Sequence, residues 1–431
     1  MRFHRGAIAL VGLLLLTLVG CDAGVVLRST EVAGTGGWVI VVFMSADNDL
    51  EAQAIAELNE MEAAGLTGTG VTVVALLDRA VGHDASHDDW SGARLYEIVD
   101  DPDGADGVIT SIELAVPALG IGPGSASVEL NTGDPRTLAA VLDFVDERYR
   151  PEHTALIIWG HGGGYASTGY DESAGGDVLH TAELAAALAG RELDIIGFDT
   201  DYAAAIEVAW ELRETAQFMV ASQDVQPADG WEYDDFLRRF LATELTPRSL
   251  ADSIGESYAS IYTGTSRATI STIRLDRVAA VMDALNNVAD TLAEAVDSNE
   301  ARDRIRETLF YDVEDFYSTP GDLAIDLGDV GLIIARDHDL ADEAAGALTT
   351  AVAEAVVTSS RGDANPRASG MSVHLVPLRS DGTAESSHAA GYVRGAAVDH
   401  PLSFVEASTW VPRLPDGPGL LHRLFYTTSF E

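Results

Sequence analysis

Between Gly37 and Ser45 the chain carries an unbroken apolar run, Val39 to Met44, rich in β-branched residues and too short for a helix. Such a run fits a parallel strand buried on both faces. Residues 48–64 then place Leu50, Ile55, Leu58 and Met61 at helical spacing with acids between them, which predicts a helix laid on that sheet. The alternation repeats. Strands are predicted at Val71 to Leu77, Ala155 to Trp159, Leu193 to Phe198 and Phe218 to Ala221. Helices are predicted from Asp134-Pro135 through Val145, at Leu184 to Leu188 and at Ala203 to Glu214. Asp134 suits an N-cap and Pro135 a first helical turn. This order predicts an α/β fold, a mostly parallel central sheet with helices on both faces and right-handed crossovers. Reactive groups belong beyond the carboxyl ends of such strands.

Further along, residues 232–262 and 274–308 read as helices, and 310–331, with its Gly, Pro, Phe316 and Tyr317, as a stretch bordering the cleft. Ala341 to Val357 reads as a helix and Ser369 to Leu375 as a last strand, on which His374 is expected to be structural. Residues 381–431, with Pro412, Pro415 and Pro418, are expected to wrap around the domain.

Charge narrows the partners. The 431 residues include 69 acids against 26 basic residues, every one of the latter Arg, for a net charge of -43. A field of that sign repels phosphate backbones, so nucleic acid is excluded and basic or cationic partners are favoured.

The N-terminus suggests a location. Arg2 and Arg5 precede an apolar run from Ala7 to Val19 that is short for a membrane span and fits a secretory signal. It ends in Leu18-Val19-Gly20-Cys21, which resembles the lipobox of bacterial lipoproteins. The expectation is a signal peptide over 1–20, a lipid-carrying Cys21 with a tether over 21–36, one domain over 37–380, and an extracytoplasmic, membrane-anchored protein. Cys21 is the only cysteine, so no intramolecular disulfide can form.

Candidate chemistry gathers after two strands. Trp159 is followed by Gly160-His161-Gly162-Gly163-Gly164, placing one histidine among glycines that let a substrate backbone come close. His161 is therefore a candidate general base, whereas His83, His87, His153, His180 and His338 read as ordinary surface or core residues. The glycine run lacks the Lys of a phosphate loop.

Four segments together carry a family resemblance: Trp38-Val-Ile-Val-Val-Phe-Met-Ser-Ala-Asp-Asn-Asp-Leu-Glu51, Gly133-Asp-Pro-Arg-Thr-Leu138, Ile158-Trp-Gly-His-Gly-Gly-Gly164 and Leu193-Asp-Ile-Ile-Gly-Phe-Asp199. They resemble the clostripain family of cysteine peptidases, with further matches at Ile206 to Leu212, Val220 to Ser222, Gly230-Trp231 and Gly370 to His374. The resemblance implies a caspase-like fold, a catalytic histidine at His161 and calcium as a possible cofactor with no ligands mapped. It also implies a nucleophilic cysteine two places after Asp199, where the family reads Asp-Ala-Cys-Leu-Met. This chain reads Asp199-Thr200-Asp201-Tyr202-Ala203, so Asp201 stands where the thiol belongs.

That replacement changes the chemistry. The family depends on a thiolate that attacks a carbonyl and leaves again as a thioester. A carboxylate is a weak nucleophile toward an amide, and Asp201 is expected to pair with His161 and hold it as imidazolium. Thr200 as a substitute should face away from His161, and proton sharing between Asp199 and Asp201 normally needs separate, facing loops.

The family's primary specificity pocket has an Asp at the position of Asp199 that selects Arg or Lys. Asp229 and Asp224 are expected to add to its negative rim, giving a site suited to a guanidinium or a divalent cation. The alternative is that Asp199 caps the next helix and the other acids belong to a generally acidic surface. The sequence thus points to a peptidase homologue without its nucleophile that binds Arg-containing or basic peptides at the cell envelope. Two alternatives stay open: a hydrolase with an unrecognised nucleophile, and an envelope scaffold whose cleft is vestigial and filled by Tyr202 or Tyr165.

Overall fold

The computed structural model describes residues 37–101, 107–124, 127–262, 264, 267–319, 322–337, 342–375, 392, 399–411 and 419–425. The signal peptide, Cys21 and its tether, His338 and Pro412 to Pro418 lie outside the described residues, as does most of the stretch from 376 to 398.

The predicted run around Val39 to Met44 becomes β1 (Trp38–Ala46), followed by α1 (Glu51–Glu62), β2 (Val71–Arg79), β3 (Gly92–Glu97) and β4 (Ile112–Leu114). Then come α2 (Pro135–Tyr149), β5 (His153–Trp159), a hairpin of β6 (Ser167–Asp171) and β7 (Asp177–His180), α3 (Thr181–Ala187) and β8 (Leu193–Asp199). α4 (Ile206–Leu212) and β9 (Ala216–Ala221) complete the first half. Asp134 caps α2 by accepting from the N–H of Arg136, with Pro135 in the first turn, as its sequence predicts.

β1 shows why both faces are covered. Side chains alternate along a strand, so Val39, Val41 and Phe43 enter one core with α2, α4 and α7 (Val278–Ala295). Ile40, Val42 and Met44 enter the other with α1, α5 (Tyr233–Leu241) and α6 (Pro247–Tyr262). With β10 (Thr269–Arg274) and β13 (Val356–Arg361) the sheet has nine strands, in the order β13-β10-β9-β8-β5-β1-β2-β3-β4. From β9 to β2 every neighbouring pair is parallel, and antiparallel strands close both edges.

The second half departs from the expected outline. Residues 232–262 divide into α5 and α6, the latter opening at Pro247, whose missing N–H is harmless at a helix start. Residues 274–308 divide into α7 and α8 (Asn299–Glu307), which Ser298 caps. The stretch 310–331 is not cleft border but β11 (Asp315–Thr319), β12 (Asp322–Asp326) and the start of α9 (Leu327–Asp337). Phe316 there is fully buried against Ala324 and Ala368. β11 and β12 join β14 (Ser372–Leu375) in a separate three-stranded sheet. Beyond it, Trp410 is buried and its Nε1 donates to the carbonyl of His374 at 2.8 Å. No helix among the described residues is long and apolar enough to cross a membrane.

Candidate functional site

β5 and β8 are neighbours, and their register pairs Trp159 with Asp199. The loops leaving these strands therefore emerge side by side at the carboxyl edge of the sheet, one bearing His161 and the other Thr200 and Asp201. They touch at Gly162, where any Cβ would collide with the backbone of Asp201. Only glycine permits that approach. Tyr202, directly after, takes φ 59°, which bulky residues rarely adopt, and turns the chain sharply beyond Asp201.

His161 does not pair with Asp201 as expected. Its Nε2 lies 2.8 Å from Oδ1 of Asp49, on the loop that follows β1, the strand on the other side of β5. The histidine draws the Asp49 carboxyl below its usual range. Asp201 instead accepts the N–H of Gln226 at 2.6 Å, and burial pushes its carboxyl up despite the nearby His161 charge. Two different loops thus hold the two groups. Asp199 and Asp201 likewise have separate partners and share no hydrogen bond among the described residues.

Asp199 forms the floor of the site. It is buried, and its Oδ2 accepts from the N–H of Trp231 at 3.1 Å and the hydroxyl of Tyr233 at 3.3 Å, not from the start of α4. Burial lifts its carboxyl to about 7, with the charges of Glu60 and Asp201 adding to the rise. Beside it lies a residue that the sequence reading overlooked. Glu57 of α1 is buried, its Oε2 accepts from Nε1 of Trp159 at 2.5 Å, and its Oε1 has no hydrogen-bond partner. Burial, then the charge of Asp199, pushes Glu57 well above the usual range. Gly230 sits between them with φ 58°, since a Cβ there would meet Oε1 of Glu57 and lie 3.2 Å from Oδ2 of Asp199. Glu60, pushed by burial to about 7, accepts the N–H of Tyr233 just behind.

A cavity of about 200 Å³ opens above these carboxylates, bounded by Leu50, Glu57, Trp159, His161, Asp199 and Asp201 with the 226–230 loop. Asp229 is exposed on that loop, and its charge is felt by Glu60 and Glu232. Asp224 is not part of the rim. It is buried and takes Nε and Nη2 of Arg267 at 2.8 and 3.0 Å, plus Nδ2 of Asn365 at 2.9 Å, so its charge is already matched. Tyr165 packs against His374 and Tyr392, at ring distances of 4.3 and 5.0 Å, and neither it nor Tyr202 lines the cavity. His374 is buried, as its reading as a structural residue expects.

The clostripain-family model matches residues 42–374. The chain belongs to the clostripain family. A curated member, clostripain of Hathewaya histolytica, is 25% identical over 228 residues, which is 47% of this chain and 42% of that protein. The chain therefore matches less than half the length of that relative. Among solved structures, a secreted C11 cysteine protease from Bacteroides thetaiotaomicron, bound to an irreversible peptide inhibitor, aligns with a TM-score of 0.62 at 18% identity, over 87% of this chain and 99% of that one. An inactive zymogen C11 protease from Parabacteroides distasonis aligns with a TM-score of 0.60, also at 18% identity, over 81% and 94% of the two chains. At such identities the likeness shows the caspase-like fold. Within it, the family's one possible thiol in this chain is Cys21, remote in sequence from the Asp201 position.

Proposed function

We propose that this clostripain-family chain is a pseudopeptidase that binds Arg-containing or basic peptides at the cell envelope, held to a membrane by lipid on Cys21. The observation that carries the reading is the pairing of Glu57 with Asp199 on the floor of an open cavity whose nucleophile position is Asp201. Two carboxylates with an unpartnered oxygen match the planar, bidentate donors of a guanidinium better than the single point charge of an ammonium. Water-excluded carboxylates are costly when ionised alone, and an entering cation offsets that cost. The exposed acid Asp229 and the net charge of -43 draw basic segments toward the opening.

A surviving hydrolase would need a hydroxyl bonded to His161. Among the described residues His161 bonds Asp49 and no Ser or Thr hydroxyl, which supports binding over turnover. A vestigial cleft would be filled by its neighbouring tyrosines, and both stand outside it.

Fluorescence anisotropy with labelled peptides tests the proposal. An Arg-containing peptide should bind more tightly than its Lys counterpart and far more tightly than a Gln counterpart, and Asp199→Asn should reduce Arg-peptide affinity by about 10–100-fold. Equal affinity for the three peptides contradicts it.

A further inference from the structure

Two histidines from distant parts of the chain meet outside the peptide cavity. His180 closes β7, opposite Ser167 in the β6–β7 hairpin, and Glu183 lies in the first turn of α3. His400 belongs to the C-terminal segment 399–411, and its ring stacks on that of His180 with centroids 4.2 Å apart. Oε2 of Glu183 accepts the N–H of His180 at 3.2 Å, while Oε1 lies 3.5 Å from Nδ1 of His400. One ring nitrogen from each histidine and one Glu183 oxygen can be chosen so that all lie within 4.8 Å of one another. The segment that brings His400 is fastened nearby, where the N–H of Phe404 donates to Glu211 at 2.8 Å and Nε1 of Trp210 donates to the hydroxyl of Ser403 at 3.1 Å.

The donor types decide what such a group can hold. Among the described residues no Arg pairs with Glu183, and two neutral imidazoles leave its charge unmatched, whereas a divalent cation would match it. The N–H of His180 orients the Glu183 carboxylate from behind, as groups outside a coordination sphere commonly do. Imidazole suits zinc, copper and nickel, whereas calcium and magnesium take oxygen ligands. Two nitrogens, one carboxylate oxygen and a water fill the four positions of a zinc ion. The calcium that the family resemblance implies therefore belongs to a different donor set.

We propose that His180, Glu183 and His400 bind one zinc ion, which pins the C-terminal segment to the β6–β7 hairpin. The two rings lie 15° from parallel, so the ion seats between His180 and Glu183 while His400, exposed at the surface, turns its ring to bring a nitrogen onto it. The bound ion also braces the end of the His161 loop. Thr181, next to His180, donates its N–H to the carbonyl of Ala166 at 3.0 Å and its hydroxyl to that of Tyr165 at 2.8 Å, directly after Gly164. The proposal does not depend on the peptide-binding reading, because it concerns other residues and another ligand.

The test uses the full-length chain without an affinity tag in non-ionic detergent, stripped with EDTA and dialysed into millimolar CaCl2 so that oxygen-ligand sites are filled. Titration with ZnCl2 by calorimetry should show one saturable site, and saturating Zn2+ should raise the unfolding midpoint by about 2 °C or more. His400→Ala, at an exposed position, should unfold close to the parental midpoint without zinc and weaken zinc binding by about tenfold or more. His180→Ala should weaken it as far. Zinc should also slow hydrogen exchange over 399–411 in the parent but not in His400→Ala. The absence of a saturable zinc site, or a zinc affinity and an exchange response that are the same in the parent and in His400→Ala, overturns the proposal.

Discussion

His161 bonds Asp49 through Nε2 at 2.8 Å, while the carboxyl of Asp201, where the family resemblance puts the nucleophile, is taken by the N–H of Gln226. The histidine and Asp201 therefore share no hydrogen bond, although their loops touch at Gly162 and the histidine's charge reaches the carboxyl. Replacing Asp201 should leave the Asp49–His161 pair in place. His161→Ala should instead return the Asp49 carboxyl from its lowered value toward the ordinary range, which a carboxyl-resolved NMR titration would read. An unchanged Asp49 titration would argue against the pair.

The floor of the cavity should make peptide binding depend on pH. Asp199 titrates near 7 and Glu57 above its usual range, so both must ionise to meet a cation, with the charge of Glu60, itself lifted to about 7, acting from behind them. Affinity for an Arg peptide should rise as pH increases from about 6 to 8. Asp199→Asn should flatten this profile, and a profile equally steep in the variant would assign the proton to another group.

Stability should move the opposite way. A carboxyl whose folded pKa is raised favours the folded state below its unfolded pKa, and that contribution is lost as pH rises through the folded value. For Asp199 and Glu60 the window runs from their ordinary values of 3.8 and 4.5 to about 7. Scanning calorimetry without peptide or calcium should give a higher unfolding midpoint at pH 5.5 than at pH 8. A midpoint that climbs across this range would contradict the burial of these groups.

Asp224 and Gly162 serve the framework of the site in different ways. Asp224→Ala leaves Arg267 and Asn365 without their shared acceptor and should destabilise the fold by about 1–3 kcal/mol, a range kept modest because Arg267 is half-exposed. Gly162→Ala forces the loop away from the Asp201 backbone at about 1–3 kcal/mol and should weaken peptide binding as well. Chemical denaturation and anisotropy separate the two effects, and Gly162→Ala with parental stability and affinity would contradict the contact.

The parallel strands were legible because β1, β2, β5 and β8 are apolar runs bounded by Gly, Ser or Asp, and His161 and Asp201 because each follows such a run. Glu57 was legible only in principle: it lies three residues after Ala54 on the buried face of α1, where an acid among Ala54, Leu58 and Met61 is out of place. The partners of Asp224 and His161 were not legible. Arg267, Asn365 and Asp49 come from distant segments, and nothing local in the sequence distinguishes them from the many other charged and polar residues. The β11–β12 hairpin was hidden for a similar reason, since Phe316 packs against Ala324 and Ala368 rather than against the main sheet.

Hydrolysis of a fluorogenic Arg peptide by the parent chain and by Asp201→Cys, with and without calcium, tests the central claim most directly. The account predicts no turnover by the parent and measurable turnover by Asp201→Cys that is lost when His161→Ala is added. Turnover by the parent that disappears in its own His161→Ala variant would contradict it and show that the site retains a working nucleophile.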